Sequence, residues 1–291
     1  MEKECVKKGA VKNCLSIAGV DPSGGAGVLA DIKAMSACGV YAMGVVTALT
    51  AQNTRQNTRG VTGVMPVPAD FVGKELEAVF TDVPPAAVKI GMLNDAAVIG
   101  VVAGALRRYK PRWVVLDPVM VAKSGDRLLR EDALEALKTE LLPLADIVTP
   151  NLPEAGDLLG RTVETKDAMA EAAEALSAMM KAGGAVLLKG GHLEASSAAS
   201  DLFYSRGETF WIEAPRTATK NTHGTGCTLS SALAAFLART DDAAEAVRLA
   251  KAYIAEAIAA ADRLSVGSGH GPVHHFVRLW QTETPSLPRE S

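Results

Sequence analysis

The residues best suited to chemistry lie in the stretch 221–233, where two glycines one residue apart precede a cysteine. Gly224 and Gly226 let successive backbone N–H groups turn toward one point, and the small residues after Cys227 predict a helix whose first amides have no internal partner. Such a helix start attracts anions, above all phosphates. It also favours a thiolate on Cys227, which could then serve as a base, a nucleophile or a redox group. Two plainer interpretations stay open, namely turn glycines that cap a helix and a buried, inert cysteine.

Polar residues that follow short apolar runs form a second set of candidates. Gln52 carries a donor and an acceptor on one planar amide, which matches the edge of an aminopyrimidine. Asp117, Asn151 and Glu154 could hold Mg²⁺ through water beside a triphosphate. Lys189, followed by two glycines, could place a point charge on an ATP phosphate. Each residue also has a plainer interpretation when it is taken singly. Gln52 could be a surface amide, Asp117, Asn151 and Glu154 could be turn formers, and Lys189 could be a solvated lysine at a strand end.

The glycine-rich loop 21–31 follows the first predicted strand and opens a helix. Residues 25–30 fit the relaxed dinucleotide fingerprint G-x-G-x-x-A, but the next strand ends in Gln52 and Asn53 and offers no carboxylate for a ribose. The loop also lacks the Lys-Ser/Thr ending of a Walker loop. We therefore expect its backbone to approach a flat ligand while Asp31 faces that ligand, and a simple tight turn is the alternative. His274 and His275 are adjacent, which is poor spacing for two metal ligands, and we interpret them as packing of the tail.

The elements that must position these residues follow from the pattern of the whole chain. Short apolar runs alternate with segments of helical period, which predicts βαβ units and a parallel sheet. Since ligands bind outside the carboxyl ends of strands in such sheets, the residues just past the strands are expected to line one cleft. The predicted strands span 14–18, 45–50, 88–90, 114–116, 147–148 and 186–188. The clearest predicted helices span 69–80, 94–109, 131–142, 165–182 and about 242–264. An antiparallel hairpin at the edge of the sheet is predicted from 201–204 and 208–212.

Composition limits the classes of function. The 291 residues are 48% hydrophobic and carry a formal net charge of -3, so neither nucleic acid nor an acidic membrane is an expected partner. Four cysteines without paired spacing fit a reducing cytoplasm. Neither a signal peptide nor an apolar run of spanning length is found. We predict a frayed segment 1–13, a single domain 14–280 and a flexible tail 281–291, with small molecules as partners.

Several long motifs occur in an order that resembles one enzyme family. They are AGVDPSGGAG (18–27), TALTAQNT (47–54), KIGML (89–93), DPVM (117–120), TPNLPE (149–154), KGGH (189–192), NTHGTGC (221–227) and GPVHHF (271–276). Together they resemble the hydroxymethylpyrimidine and phosphomethylpyrimidine kinases of thiamine biosynthesis, over nearly the whole chain. The resemblance implies a ribokinase-like α/β fold, a three-layer α/β/α sandwich with a mostly parallel central sheet and an antiparallel edge hairpin.

The resemblance also implies roles for single residues. Gly224, Thr225 and Gly226 would form the anion hole for the transferring phosphate, and Cys227 stands where related sugar kinases keep an aspartate base. Cys227 would take the proton from the substrate hydroxymethyl group, or would only shape the pocket. The resemblance implies that the pyrimidine is contacted by Gly19, Asp31, Gln52, Met92 and Val119. It implies that ATP is bound by Lys189, Asn151 and Thr225. It implies that Mg²⁺ is held by Glu154 and Asp117.

The leading hypothesis is therefore an ATP- and Mg²⁺-dependent kinase that phosphorylates the hydroxymethylpyrimidine and then its monophosphate. A monovalent cation requirement is left open, a homodimer is expected, and the segment 54–62 is a candidate flap over the substrate. Three alternatives remain: a pyridoxal or pyridoxine kinase of the same fold, a pyrimidine-binding protein without turnover, and a dinucleotide-binding oxidoreductase. Competition by pyridoxal against the pyrimidine would identify the first alternative. Tight ligand binding without ATP consumption would identify the second, and thermal stabilisation by NAD the third.

Overall fold

Nine strands form one sheet in the computed structural model, which describes residues 9–55, 60–120, 131–191 and 198–280. Its order is β3-β2-β1-β4-β5-β6-β7-β8-β9. The neighbours from β2 through β7 in this order pair in parallel, whereas β3 at one edge and β8 with β9 at the other pair antiparallel. The strands are β1 (Asn13–Val20), β2 (Tyr41–Gln52), β3 (Val61–Pro66), β4 (Ala87–Ile90), β5 (Trp113–Leu116), β6 (Ile147–Val148), β7 (Ala185–Leu188), β8 (Ala198–Ser205) and β9 (Glu208–Pro215).

Eight α-helices cover the two faces of this sheet in the described residues. They are α1 (Gly27–Ala37), α2 (Ala69–Asp82), α3 (Ala96–Tyr109), α4 (Glu131–Ala136), α5 (Leu152–Leu159), α6 (Lys166–Ala178), α7 (Thr225–Thr240) and α8 (Ala243–Ala259). Helices α1, α7 and α8 share one hydrophobic core with the sheet, and α2 to α6 share the other. Side chains alternate between the faces as the strand period requires, so Leu15 and Ile17 enter one core while Cys14 enters the other. The predicted three-layer sandwich is confirmed.

The six predicted parallel strands and the edge hairpin are all present, mostly with longer bounds. The strand β3 was not predicted, because its residues are largely exposed and carry neither an apolar run nor a regular alternation. It begins at Val61, inside the candidate flap 54–62, of which residues 56–59 lie outside the described residues. The strand β1 begins at Asn13, the last residue of the segment predicted to be frayed. Residues 1–8 of that segment and the predicted tail 281–291 lie outside the described residues.

Three predicted helices end earlier than expected, and one helix was missed. The helix predicted over 165–182 is α6, which ends at Ala178. The helix predicted over 131–142 is α only to Ala136 and continues as a wider π turn and a 3₁₀ turn, Leu137–Leu141 and Leu142–Leu144. Pro143 contributes to this change because it has no N–H for the α-helical ladder. Helix α8 begins as predicted, with the Asp242 side chain accepting from Glu245 N, but ends at Ala259. Helix α5 was missed because its eight residues begin with Leu-Pro, which favoured a turn. Within the described residues, no helix is long and apolar enough to cross a membrane.

Candidate active site

A cavity of about 850 Å³ opens at the carboxyl ends of the parallel strands. Parallel strands bring these ends to the same edge of the sheet, so residues distant in sequence meet there. All predicted site residues except Asp31 lie in its wall. They are Gly19, Gln52, Met92, Asp117, Val119, Asn151, Glu154, Lys189, Gly224, Thr225, Gly226 and Cys227. His192, the last residue of the motif 189–192, lies outside the described residues.

One wall of the cavity combines apolar groups with the amide of Gln52. Thr50 Oγ1 lies 2.9 Å from the carbonyl oxygen of Val20 and 3.3 Å from Gln52 Oε1, which connects the amide to the end of β1. A Cβ atom at Gly19 would lie 2.6 Å from the Met92 methyl group, so a side chain at position 19 would displace the flexible end of Met92. This wall can hold a flat ring between backbone and methionine and present an amide to the ring's edge.

The opposite wall is the start of α7. Gly224 is its N-cap residue with a left-handed φ of 74°, and no side chain caps the helix. A Cβ atom at Gly226 would lie 3.3 Å from Lys189 Nζ, which places this ammonium group beside the first helical turn. The positive end of the helix and the Lys189 ammonium group therefore lie close together, an arrangement suited to a phosphate.

Two carboxylates share Lys189. Its Nζ lies 3.0 Å from Asp117 Oδ1 and 3.7 Å from Glu154 Oε2. Burial raises the pKa of Glu154 to about 7, and the charge of Asp117 adds to this rise against the opposing effect of Lys189. Burial also works to raise the pKa of Asp117, but Lys189 and Lys89 outweigh it and hold that pKa below its ordinary value. Both carboxylates raise the pKa of Lys189 in spite of its burial.

Glu154 and Asn151 are fixed by the start of α5. The Asn151 side chain accepts from Glu154 N at 2.8 Å, and Glu154 Oε2 accepts from Asn151 N at 2.8 Å. This capping box satisfies the free amides of the helix start and orients both side chains. The donor set of Asp117 and Glu154 suits a hard cation that completes its shell with phosphate oxygens and water. Among the described residues, no group of three or more His, Cys, Asp or Glu forms a metal site by itself.

Cys227 lies on the first turn of α7, as predicted, and is half-buried. The expected thiolate is wrong for this structure. Burial raises the pKa of the thiol to about 11, and the nearby ammonium of Lys89 compensates only partly because Asp31 and Asp117 oppose it. At neutral pH the residue is therefore a neutral thiol within reach of the cavity.

Asp31 does not lie where the sequence predicted. Its side chain is fully buried beneath the cavity and accepts hydrogen bonds from Ser16 Oγ at 2.6 Å and Ser231 Oγ at 2.7 Å. Lys89 Nζ donates to both of its carboxylate oxygens at 2.8 and 2.9 Å. With its oxygens occupied in the core, Asp31 supports Lys89 and does not present a free carboxylate to a ligand.

Several charged or titratable groups in the cavity wall were missed by the sequence argument, among them Lys89, Asp201, Lys251 and His223. Lys89 stands in the apolar strand β4, and a lysine in such a run was the available signal. Lys251 Nζ pairs with Asp201 Oδ2 at 2.5 Å, and Asp201 Oδ1 accepts from Gly190 N at 3.0 Å beside Lys189. His223 adjoins the Gly224 cap, and its motif was quoted without a role for the ring.

The tail histidines pack as predicted. His274 and His275 are both buried, and His275 Nε2 lies 3.1 Å from Thr228 Oγ1 in the second turn of α7. Burial, with the charges of Lys33, His274 and His223, lowers the pKa of His275 to about 3. The ring is therefore neutral and supports the helix from behind.

Fold and site together define a small-molecule kinase of the ribokinase-like class. A sequence profile of the family described as phosphomethylpyrimidine kinase matches residues 21–274. The chain belongs to this family.

The chain is similar to proteins named hydroxymethylpyrimidine/phosphomethylpyrimidine kinase. The protein of Rhizobium meliloti (strain 1021) is 53% identical over 268 residues, which cover 92% of this chain and 98% of the relative. The protein of Escherichia coli (strain K12) is 50% identical over 269 residues, with the same coverage.

Solved structures with the same fold include two vitamin kinases. Phosphomethylpyrimidine kinase from Clostridium difficile 630 superposes with a TM-score of 0.74 at 42% identity and covers 85% of this chain and 99% of its own. Pyridoxal kinase from Staphylococcus aureus in complex with ADP superposes with a TM-score of 0.84 at 33% identity. The match covers 93% of this chain and 96% of the kinase. ATP is thus the cosubstrate expected of this kinase fold.

Proposed function

We propose that this enzyme transfers the γ-phosphate of ATP to 4-amino-5-hydroxymethyl-2-methylpyrimidine, and then a second phosphate to the resulting monophosphate. The observation that carries the proposal is one cavity with Gln52 and Met92 on one wall and the start of α7 with Lys189 on the other. An aminopyrimidine fits the first wall and a phosphate the second. The names of the relatives at 50–53% identity support the same substrate.

The pyrimidine is placed by shape and by one amide. Gly19, Met92 and Val119 would enclose the ring, while Gln52 would pair its donor and acceptor with the amino group and ring nitrogen. An analogue without the amino group would lose its hydrogen bond to the Gln52 oxygen, which would be left with Thr50 Oγ1, 3.3 Å away. Losing a hydrogen bond in a half-buried site is costly, so this contact would provide specificity.

The triphosphate is placed by the opposite wall. Lys189, Asn151 and Thr225 would contact ATP, and Gly224, Thr225 and Gly226 would surround the transferring phosphate with backbone amides. Glu154 and Asp117 would hold Mg²⁺, which supplies charge neutralisation for the phosphate oxygens when bound. Phosphoryl transfer depends mainly on this alignment and neutralisation. A monovalent cation stays an open requirement.

In the transfer, the hydroxymethyl oxygen bonds to the γ-phosphorus, the bond from that phosphorus to ADP breaks, and the hydroxyl proton leaves. Cys227 would receive this proton as a thiolate. The raised pKa of the thiol makes the thiolate a minor species at neutral pH, so the step would accelerate as the pH rises.

Pyridoxal is the acceptor to compare with the hydroxymethylpyrimidine, because both are aromatic alcohols. The decisive quantity is the ratio of kcat/KM for the two acceptors at saturating ATP with magnesium. We expect the pyrimidine to be preferred by about 100-fold or more, because a site that pairs with a polar group of its substrate discriminates strongly against a competitor that lacks this group. A preference for pyridoxal would overturn the proposed substrate and keep the proposed chemistry.

A homodimer in the cytoplasm is part of the proposal. Its support is a pair of exposed apolar residues at one edge of the sheet, Leu49 and Met65, which lie opposite each other in the register of β2 and β3. Light scattering at micromolar concentration tests it: twice the mass of one chain is expected, and the mass of one chain would contradict it.

A further inference from the structure

A buried pair joins two loops at the mouth of the cavity. His223 Nε2 lies 2.7 Å from Asp21 Oδ2, and only 9% of His223 and 2% of Asp21 are exposed. Asp21 follows β1 and begins the glycine loop on the pyrimidine wall, whereas His223 directly precedes the Gly224 cap on the phosphate wall. The Asp21–His223 pair therefore connects the two walls that a transfer reaction must align.

On the β1 side, the Asp21 carboxylate organises its own loop. It accepts from Ser23 N and Ser23 Oγ, both at 2.9 Å, and from Ala26 N at 3.0 Å. Although burial alone raises the pKa of Asp21, the hydrogen bonds from His223 and Ser23 bring it below its ordinary value. The loop is therefore arranged around an ionised carboxylate, to which His223 adds a hydrogen-bond partner from the phosphate wall.

On the α7 side, His223 is held by the backbone. His223 N donates to Gly271 O at 3.0 Å, and the residue forms a parallel bridge with Pro272. A Cβ atom at Gly25 would overlap the His223 ring, and one at Gly224 would overlap the Gly25 carbonyl oxygen. The two loops thus touch backbone to backbone, and the Asp21–His223 pair is the polar bond across this contact.

We propose that His223 is a positioning residue, which holds the phosphate-binding start of α7 in register with the pyrimidine-side loop through its bond to Asp21. This inference rests on the proposed phosphoryl transfer. In-line transfer requires the reacting atoms about 3–3.5 Å apart, and a displacement of about 1 Å can cost about 100-fold in rate. The bond also gives the Asp21 carboxylate a hydrogen-bond partner close to the expected position of an anionic phosphate.

Two amide variants separate this role from packing. Glutamine at position 223 can place its amide nitrogen near the position of Nε2, whereas asparagine reaches only as far as Nδ1. Both are neutral and polar, so they differ mainly in reach. We expect His223→Gln to keep kcat within about threefold of the wild type and His223→Asn to lose about 30-fold, with KM for both substrates within about threefold in each.

The readout is initial rate on whichever acceptor the wild-type enzyme phosphorylates faster, the pyrimidine or pyridoxal. A wild type that prefers pyridoxal overturns the proposed substrate, yet the ratio between the two variants still tests His223. His270→Gln is the control, because this exposed histidine lies outside the cavity wall and should keep full activity. Thermal melting establishes that each variant is folded.

Equal kcat in His223→Gln and His223→Asn, or a loss confined to KM, overturns the positioning role. If His223→Asn is unfolded at the assay temperature, the reciprocal variant Asp21→Asn replaces it. That variant keeps the size of the side chain and removes the charge that strengthens the bond, so kcat should fall about tenfold with KM unchanged. An unchanged kcat in a folded Asp21→Asn enzyme also overturns the proposal.

Discussion

At the residue scale, the candidate site consists of side chains that stand just past strand ends. Gln52 and Lys189 could be named from the sequence because each is polar where a strand of apolar residues stops, whereas Met92 and Val119 were named from the resemblance to the family. The roles of Asp31 and Lys89 could not be predicted from the sequence, because only the fold shows that their charges meet in the core. The charge state of Cys227 could not be predicted either, since burial outweighed the helix start.

Replacing Gln52 tests the pyrimidine contact. In Gln52→Ala the ring loses a donor and an acceptor, so KM for the pyrimidine should rise about 10- to 100-fold while KM for ATP stays within about threefold. Steady-state kinetics with each substrate varied in turn measures both values. Asn53→Ala, a neighbouring amide outside the cavity wall, should behave as the wild type. Equal increases in the two KM values would contradict the placement of the ring.

Replacing Cys227 tests the proton acceptor. Since the thiol has a raised pKa of about 11, its thiolate fraction grows about tenfold per pH unit below that value, and kcat of the wild type should rise across pH 6 to 9. In Cys227→Ala this rise should disappear, and kcat should fall about 100-fold at pH 8. Pyridoxal or pyrimidine turnover at fixed magnesium measures the profile. A profile of unchanged slope in the variant would leave Cys227 only a role in shaping the pocket.

At the element scale, two helix starts form the phosphate end of the site. The start of α7 could be predicted from two spaced glycines followed by small residues. The start of α5 could not be predicted, because the Leu-Pro pair at its first two positions indicated a turn. Its Asn and Glu had nevertheless been selected as magnesium candidates. The edge strand β3 escaped prediction because its pairing with β2, and not its own residues, defines it.

The Gly224 cap should not tolerate a side chain. Alanine there would require a left-handed φ of 74° and would overlap the Gly25 carbonyl oxygen. We expect Gly224→Ala to lose about 1–3 kcal/mol of unfolding free energy and most of its activity. Gly104→Ala is the matched control, because this exposed glycine in α3 has open space around it and should gain up to about 1 kcal/mol. Urea denaturation measures both, and equal stability in the two variants would refute the strained cap.

The raised pKa of Glu154 predicts a pH-dependent stability. A carboxyl with a folded pKa of about 7 favours folding most below its unfolded pKa, and this benefit is lost as the pH rises through about 7. Glu154→Gln keeps an acceptor without the charge. It should therefore raise Tm relative to the wild type more at pH 8.5 than at pH 5.5, when magnesium and ATP are absent. Differential scanning calorimetry at the two pH values decides this, and a Tm difference independent of pH would disprove the raised pKa.

At the scale of the whole molecule, the alternation of strands and helices predicted the parallel sheet, the three layers and the edge hairpin. The order of the strands follows from the fold family and not from any single residue. Local patterns also gave no account of why the cavity contains buried ion pairs. Those pairs join β4 to α1 and β8 to α8, and such long-range contacts exist only once the layers have packed.

The central claim is that one site phosphorylates a pyrimidine alcohol and then its monophosphate. Its most direct test is incubation of the purified enzyme with Mg-ATP and 4-amino-5-hydroxymethyl-2-methylpyrimidine, with pyridoxal in parallel and acceptor mass followed over time. We predict that the pyrimidine gains one phosphate and then a second, in that order. Phosphorylation of pyridoxal alone, or no transfer to either acceptor by a folded enzyme, would contradict the account.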